Sequence, residues 1–490
     1  MALLSDLQLL APELIVAGSL LLVLILTCKP RSWNLMAGIS LAGLGIALVA
    51  LVPLSGRAPQ SAFSAMVVHD PFASFCRAFF LVATMLAILL ALRSRELQGP
   101  GAGEFFTLLL AVLLGMMLLA GANHLLMVYL GLELVSVPSY LLAGFLKRDR
   151  RSSEAALKYV IYGALSTGVM LYGLSLLYGL TGSGGFEALR GHFSGSSFDA
   201  GLVGLAVVMA MAGFGYKISS APFHFWAPDV YQGAPTAFTA FLSVGPKAAG
   251  FAVLVRFFFS GLAAAPGPEG MLLPLARWPA LIAVLAALSM FVGNIAALVQ
   301  HNMKRLLAYS SIAHAGYMLM AVCLLTPTGL QAMLFYFVAY AIMNLGVFLV
   351  VIMIANATGS EEIDSYRGLW SRAPTLVAAM GLFLLSLAGI PPLVGFVGKF
   401  YLFKAAVAGE LYWLAVVAVV NSAISLYYYV YVLRVMFIDA GAQPAPLRPP
   451  LLHSALLAVL VILTVALGIF YGPLDALTRA SAHLWVPGGG

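Results

Sequence analysis

Of the chain's 490 residues, 62% are hydrophobic and only 9% are charged, and the formal net charge is +7. That balance excludes a water-soluble globular domain and identifies an integral membrane protein. A positive charge can signal nucleic acid, but here the basic residues cluster in short loops between apolar runs, where insertion topology accounts for them.

The N-terminus, MALLSDLQLLAPELIVAG, carries Asp6 and Glu13 and lacks a basic leader or small-residue cleavage site, so it reads as a first span rather than a signal peptide. Apolar runs then follow at about 9–28, 33–53, 72–92, 104–120, 123–146, 155–180, 201–226, 236–260, 272–298, 303–323, 328–355, 374–408 (interrupted), 411–437 and 452–472. About 20 apolar residues cross the ~30 Å hydrocarbon layer as a helix, whereas a barrel would need alternating segments of about 10 residues. Such segments are absent, so the fold class is an all-α integral membrane bundle of about fourteen transmembrane helices. The connections around 54–71, 181–200 and 356–373 are too short to bury a core of their own.

With fourteen spans both termini lie on one side. One set of alternate loops holds Lys29, Arg31, Arg93, Arg95, Lys147, Arg148, Arg150, Arg151, Lys304, Arg305, Arg367, Arg372 and Arg448; the other holds only Arg57, Arg190, Arg277 and Arg479. The positive-inside rule therefore places both termini outside. The cysteines Cys28, Cys76 and Cys323 are too few to hold an iron–sulfur cluster by four thiolates and read as packing residues.

A second group of charges lies within the spans: Glu133 in YLGLELVSVPSY, Lys158 in ALKYVIYG, Lys217 in GFGYKISSAPFHFWAPD, Lys247 in VGPKAAGF, and Lys399 with Lys404 in VGFVGKFYLFK. Insertion scales assign about 2.5–3.5 kcal/mol to each such residue at a helix centre. Lys404, Arg256 and Arg434 sit near span ends and are expected to snorkel. Lys217 and Lys247 are flanked by apolar residues on both sides, and Glu133 is the one carboxylate counted among these lysines. Burial favours the neutral form of a lysine and a nearby carboxylate the charged form, so moving the acid can change the proton affinity. The bland reading is an inert Glu–Lys pair joining two helices, which leaves the other lysines unexplained.

Two helix breaks accompany the lysines. Pro222 follows Lys217, and Pro391-Pro392 precede Lys399. A proline within a helix frees backbone groups that must then meet protein or water rather than lipid, so spans seven and twelve should be discontinuous. Transporters place broken helices at the membrane midplane, in two inverted halves. Spans seven and twelve are five crossings apart and hence antiparallel, as inversion requires; the halves would cover about 104–260 and 272–437, with helices 1–3 and 14 flanking them in a single domain. His224 and His314 could pass protons between ring nitrogens, with Ser219, Ser220, Ser310, Ser311, Tyr309 and Asn344 as relays. Haem ligation by the two histidines has no support beyond the pair itself, and TGSGGFEALRG lacks phosphate-loop spacing.

The stretches YKISSAPFHFWAPDVYQGAPTAFTAFLSVGPKAAGF, NMKRLLAYSSIAHAGYMLM and LAGIPPLVGFVGKFYLF resemble the antiporter-like membrane subunits of respiratory complex I, and among them the subunit N group. The likeness extends over essentially the whole chain. It implies a proton channel in which Glu133 matches the fifth-helix acid, Lys217 the seventh-helix lysine, Lys247 the connecting lysine of the eighth helix and Lys399 the twelfth-helix lysine near the outer exit. Lys158 and His224 also fall at matching positions. Some paralogues carry glutamate where Lys399 stands, which separates this chain from them. The resemblance further implies a subunit of a proton-pumping NADH:quinone oxidoreductase in a bacterial inner membrane, both termini periplasmic. Its partners would be other membrane subunits, and FMN, iron–sulfur clusters and quinone would reside elsewhere in the complex, none in this chain. The competing readings are a subunit of a stand-alone multisubunit cation/proton antiporter and a structural arm with vestigial charges.

Overall fold

The computed structural model describes residues 2–28, 32–98, 101–195, 199–266, 272–274, 278–441, 447 and 449–484; Lys29, Arg31, Arg277 and Arg448 of the loop charges lie outside these. An N-terminal group comprises α1 (Ala2–Leu9), α2 (Ala11–Thr27), α3 (Trp33–Ser55), an antiparallel hairpin β1 (Gln60–Ala62) and β2 (Val67–His69) with Gln60 opposite His69, and α4 (Pro71–Ala91). Next come α5 (Ala102–Ala120), α6 (Leu125–Ala143), α7 (Arg150–Thr181), the short α8 (Phe186–Gly195), α9 (Ala200–Ile218), α10 (Trp226–Gly233) and α11 (Thr236–Val255), the last prolonged by a π-helical turn, Arg256–Gly261. A second hairpin, β3 (Ala263–Pro266) and β4 (Leu272–Pro274), leads to α12 (Trp278–Ala297), α13 (Met303–Val322) and α14 (Pro327–Thr358). After α15 (Leu369–Arg372) the chain continues through α16 (Pro374–Ala388), α17 (Val394–Ala408), α18 (Tyr412–Phe437), α19 (Leu451–Ile469) and α20 (Gly472–Ser481).

Each of the expected apolar runs carries a helix, and the two breaks fall at the prolines. Among the described residues, eleven helical segments are long and apolar enough to cross a membrane by length and composition, while Ala11–Thr27 and Pro374–Ala388 are apolar but shorter. Fourteen is thus the number of apolar runs, not of helices that meet that criterion. The largest boundary differences are at α9, where the run 201–226 outlasts the helix, which stops at Ile218, and at α12, which starts at Trp278 rather than at 272; the longest helices among the described residues are α7 and α14. Each runs for 32 residues, about 48 Å at 1.5 Å per residue, and each ends on a left-handed glycine, Gly182 (φ 66°) or Gly359 (φ 72°).

Small residues let the helices approach closely, as membrane bundles require. A Cβ at Gly293 of α12 would lie 2.5 Å from the Ala313 amide nitrogen of α13, and one at Gly173 of α7 would lie 2.6 Å from the Ala206 carbonyl of α9. The most interior helix is α11: its Thr236–Gly261 segment is wholly buried, against 22% for α19. It packs against α4, α5, α9 and α14.

Three expectations about charges and thiols require correction. Arg256 does not snorkel; it is fully buried and forks onto Asp70, with Nη1 to Oδ2 at 2.6 Å and Nη2 to Oδ1 at 2.5 Å, while Nε donates to the Ala120 carbonyl at 2.9 Å. Its distance from a span end was misleading, because a bidentate carboxylate satisfies a guanidinium without water. Glu133 is also not the one acid inside the bundle: Glu13, 3% exposed, pairs with Arg77 at 2.6 Å. Arg77 in turn reaches His69 Nδ1 at 3.2 Å, and burial holds that imidazole below its usual range, which suits an acceptor Nδ1 with Nε2–H donating to the Leu54 carbonyl. Finally, Cys76 and Cys323 are buried as packing residues, but Cys28 is exposed. Lys404 and Arg434 are exposed, as snorkelling predicts.

Candidate functional site

Each break has a buried lysine beside it. Lys217 lies in the last turn of α9, which stops at Ile218; Ser219 then adopts φ 58° and the Ala221–Pro222 peptide is cis. Lys399 belongs to the following half-helix, α17, yet its Nζ donates to the Ala388 carbonyl, the last residue of α16, at 2.9 Å. Gly389 (φ 93°) and the cis Pro391–Pro392 peptide make that turn. The negative end of a helix dipole favours a cation. The two lysines stand on opposite sides of their prolines in sequence, and it is Lys399 whose ammonium meets a helix-end carbonyl, while that of Lys217 meets a hydroxyl of α6. The freed carbonyls are used as the break demands: Trp226 Nε1 donates to Tyr216 O at 3.0 Å, and Ser422 Oγ joins Lys399 on Ala388 O at 3.0 Å.

Lys217 is 4% exposed, and Lys247 and Lys399 are each 2% exposed. Lys217 donates to Ser136 Oγ at 2.9 Å. Ser136 lies three residues beyond Glu133 on α6, on the same helix face. Among the described residues the half-buried Glu133 carboxylate forms no ion pair with Lys217 within 4.0 Å; the ammonium instead bonds Ser136, one turn along α6 from that acid. On its other side, the Lys217 stem packs on Gly250, where a Cβ would lie 3.1 Å from Lys217 Cγ. Gly250 is three residues past Lys247 on α11, so the two lysines share a helix–helix contact.

Lys247 donates to Ser311 Oγ at 2.9 Å and to Ser311 O at 3.1 Å, and Ser311 donates to Tyr231 OH at 3.3 Å. The neighbouring Ser310 bonds Tyr429 OH at 2.5 Å; Tyr429 OH meets His314 Nε2 at 3.2 Å, and His314 Nδ1 meets Tyr336 OH at 2.6 Å. The His314 ring lies 5.7 Å from that of Tyr317, over which Lys399 Nζ sits at 4.9 Å. Lys399 also donates to Ser422 Oγ at 2.9 Å. The structure thereby aligns Glu133, Lys217, Lys247, His314 and Lys399. Among the described residues, direct hydrogen bonds are interrupted at four points: between Glu133 and Lys217, at the Lys217–Gly250 contact, between Ser311 and its chain neighbour Ser310, and at the aromatic contact between His314 and Lys399.

The family described as NADH:quinone oxidoreductase/Mrp antiporter, TM, matches residues 122–425, more than half of the chain. NADH-quinone oxidoreductase subunit N of Anaeromyxobacter sp. (strain Fw109-5) is 45% identical over 97% of this chain and 96% of its own length, and subunit N 2 of Sorangium cellulosum (strain So ce56) is 45% identical over 97% of each. This chain belongs to the NADH-quinone oxidoreductase subunit N family. Among solved structures, a chain of respiratory complex I from Thermus thermophilus with bound aureothin superposes with a TM-score of 0.79 at 35% identity, covering 96% of this chain and 99% of that one. A chain of the Mrp complex from Dietzia sp. DQ12-45-1b reaches 0.84 at 23% identity over 97% of both, a likeness of fold.

Within this subunit N-family chain, two of the expected residues lie off the line. Lys158 is 35% exposed and pairs with Glu154 at 2.7 Å and Asp229 at 2.5 Å; Arg305 meets the other Asp229 oxygen at 2.5 Å. Asp229, in α10, was overlooked as an acid partner, although it lies eight residues after the break at Ala221–Pro222. His224 is buried at the α9–α10 break, stacked on Phe225 with ring centroids 4.5 Å apart, and its Nδ1 has no hydrogen-bond partner among the described residues. Of the expected relays, Ser310 and Ser311 take part, and Asn344 bonds Ser243 at 2.5 Å on α11. The Ser219 hydroxyl has no partner among the described residues. Sequence reasoning missed Ser136, Ser422 and the tyrosines 231, 317, 336 and 429. Ser136 could have been found from its i,i+3 spacing to Glu133; the tyrosines carry no such signal.

Proposed function

We propose that this chain is the proton-translocating subunit N of an NADH:quinone oxidoreductase, and that Glu133, Lys217, Lys247, His314 and Lys399 carry the proton. The observation that supports this reading best is the placement of three lysines, each 4% exposed or less, along one line of hydroxyl, imidazole and carbonyl partners. Three buried ammonium groups cost on the order of 10 kcal/mol on insertion scales, and an inert scaffold has no use for that expense. The recurring order of a helix pair, a 32-residue helix, a broken helix and a final long helix in α5–α11 and α12–α18 supports two inverted repeats around this line.

The mechanism is electrostatic. With Glu133 drawn to Lys217 the lysine holds its proton; with Glu133 withdrawn, as in the arrangement described, Ser136 alone supports the charge and the proton is released toward Lys247. Transfer then runs through Ser311, Ser310, Tyr429 and His314 to Lys399, with water completing the unbonded contacts, the Ser311–Ser310 step among them. Lys158 with Asp229 acts at the edge of this path, and His224 has the free nitrogen a side relay needs. The chain lies in a bacterial inner membrane with both termini periplasmic, beside other antiporter-like and small membrane subunits. FMN, iron–sulfur clusters and quinone belong to the rest of the complex, which performs the electron transfer.

The deciding experiment purifies the complex carrying Lys217→Ala or Lys247→Ala, reconstitutes it in liposomes and measures protons moved per NADH oxidised. A lowered ratio in an assembled complex supports the channel, and a normal ratio in both variants sinks it. Elution of the chain without a flavin-containing arm, with sodium-dependent transport, would instead favour a free-standing antiporter.

A further inference from the structure

At the end of the bundle that carries the basic loops, a cavity of about 470 Å3 opens between the start of α11, the start of α13 and the C-terminal end of α14. Its floor is Lys304, whose side chain is 2% exposed, paired at 2.7 Å with Glu361, which is 21% exposed. Lys304 Nζ also donates to the Ala234 carbonyl at 2.9 Å, and the Thr236 hydroxyl donates to the same Glu361 oxygen at 3.2 Å. Glu361 therefore has the aqueous cavity on one side and a buried ammonium and hydroxyl on the other. Backbone bonds fix it there: Met303 N donates to Glu361 O at 2.9 Å, and Ile363 N donates to His301 O at 2.8 Å.

Beneath the floor lies α10, only eight residues long. Ala234, which accepts from Lys304, caps its C-terminal end, and Tyr231, one turn earlier, accepts through its hydroxyl from Ser311, which in turn receives Lys247. One short helix thus spans from the cavity floor to the lysine line. The charges also suit a point of passage rather than a trap. A proton that lands on Glu361 removes the counter-charge of a lysine with almost no water, which makes the protonated acid short-lived. An ion pair serving only to hold the loop has no need of a cavity of this size, since three backbone and side-chain bonds, the third from Asn302 Nδ2 to Glu362 Oε1 at 3.0 Å, already hold it.

We infer that the Glu361–Lys304 pair is the proton-intake group of this subunit, passing protons from the inner aqueous phase along α10 to Lys247. The inference rests on the reading that the lysine line conducts protons. Intact complex carrying Glu361→Gln, Glu361→Asp, Thr236→Val or Lys247→Ala is reconstituted in liposomes, and protons moved per NADH oxidised are measured. Glu361→Gln lowers the ratio to the level of Lys247→Ala, and Glu361→Asp, which keeps a carboxylate, recovers at least half of that loss. A normal ratio in Glu361→Gln beside a lowered one in Lys247→Ala overturns the intake role and leaves the lysine line standing. A normal ratio in Lys247→Ala overturns the lysine line itself. Should Glu361→Gln fail to assemble, Thr236→Val decides, because it keeps the ion pair and removes the hydroxyl: a lowered ratio supports intake here, and a normal one overturns it.

Discussion

The two broken helices solve one electrostatic problem with different partners. At the α9–α10 break, Lys217 rests on Ser136, a residue one helical turn along α6 from Glu133. At the α16–α17 break, Lys399 is held by the Ala388 carbonyl, the Ser422 hydroxyl and the face of Tyr317, with no carboxylate among these partners. A lysine beside a movable acid can be switched; a lysine among fixed dipoles has a steady affinity. The first break is therefore suited to respond to an event elsewhere in the complex, and the second to receive and release whatever arrives.

The largest effect expected follows from removing either lysine. Lys217→Ala or Lys399→Ala should slow proton transfer through this subunit by about tenfold or more, a barrier increase of at least ~1.4 kcal/mol, read as acidification rate in liposomes. Making the second break resemble the first is more telling: Ser422→Asp puts an acid beside Lys399, should hold it charged, and should slow pumping by about tenfold, whereas Glu133→Gln should make Lys217 insensitive to the state of the rest of the complex. If Ser422→Asp pumps normally, the distinction between switch and receiver is lost.

Hydrogen bonds to charged groups are worth about 1.5–3 kcal/mol, and the two breaks should respond unequally. Ser136→Ala removes the hydroxyl that holds Lys217 and should cost the upper part of that range, while Ser422→Ala leaves Lys399 its carbonyl and should cost the lower part. Pumping rates of the two variants, compared directly, would test the order. Next, Gly389 has φ 93° and a Cβ there would lie 3.0 Å from Lys399 Cδ, so Gly389→Ala adds about 1–2 kcal/mol of backbone strain to a crowded ammonium. Gly250→Ala keeps an ordinary backbone and presses on the side chains of Ile218 and Lys217, at 2.9 and 3.1 Å, and should lower thermal stability less. Smallest is the ring beneath Lys399: Tyr317→Leu should forfeit about 0.5–2 kcal/mol of cation–π attraction, and Tyr317→Phe should retain it.

Much of this was legible in the residues themselves. A charge within an apolar run is conspicuous, and a proline there marks a break, so Lys217, Lys247, Lys399 and both discontinuities could be found without coordinates. The partners could not. Tyr336 and Tyr429 are two of 20 tyrosines in a chain where aromatic residues ordinarily pack, and only the fold brings them to either side of His314. Arg256 was misjudged because closeness to a span end is a local cue, while its partner Asp70 lies 186 positions away. Asp229 stands inside the most distinctive stretch of the sequence, yet its partners Lys158 and Arg305 are 71 and 76 positions distant. Lys217 and Lys399 stand on opposite sides of their prolines, and their partners differ accordingly: a hydroxyl of α6 for the first, the carbonyl end of α16 for the second.

Helix α11 carries Lys247 and Arg256 through a segment entirely enclosed by its neighbours. Such a helix is solvated by protein alone, so acyl-chain length and headgroup composition have no direct hold on it. A thinner or thicker bilayer should tilt the exposed α19 well before it disturbs Lys247, and the helix that carries this lysine is in this way insulated from the changing lipid around it.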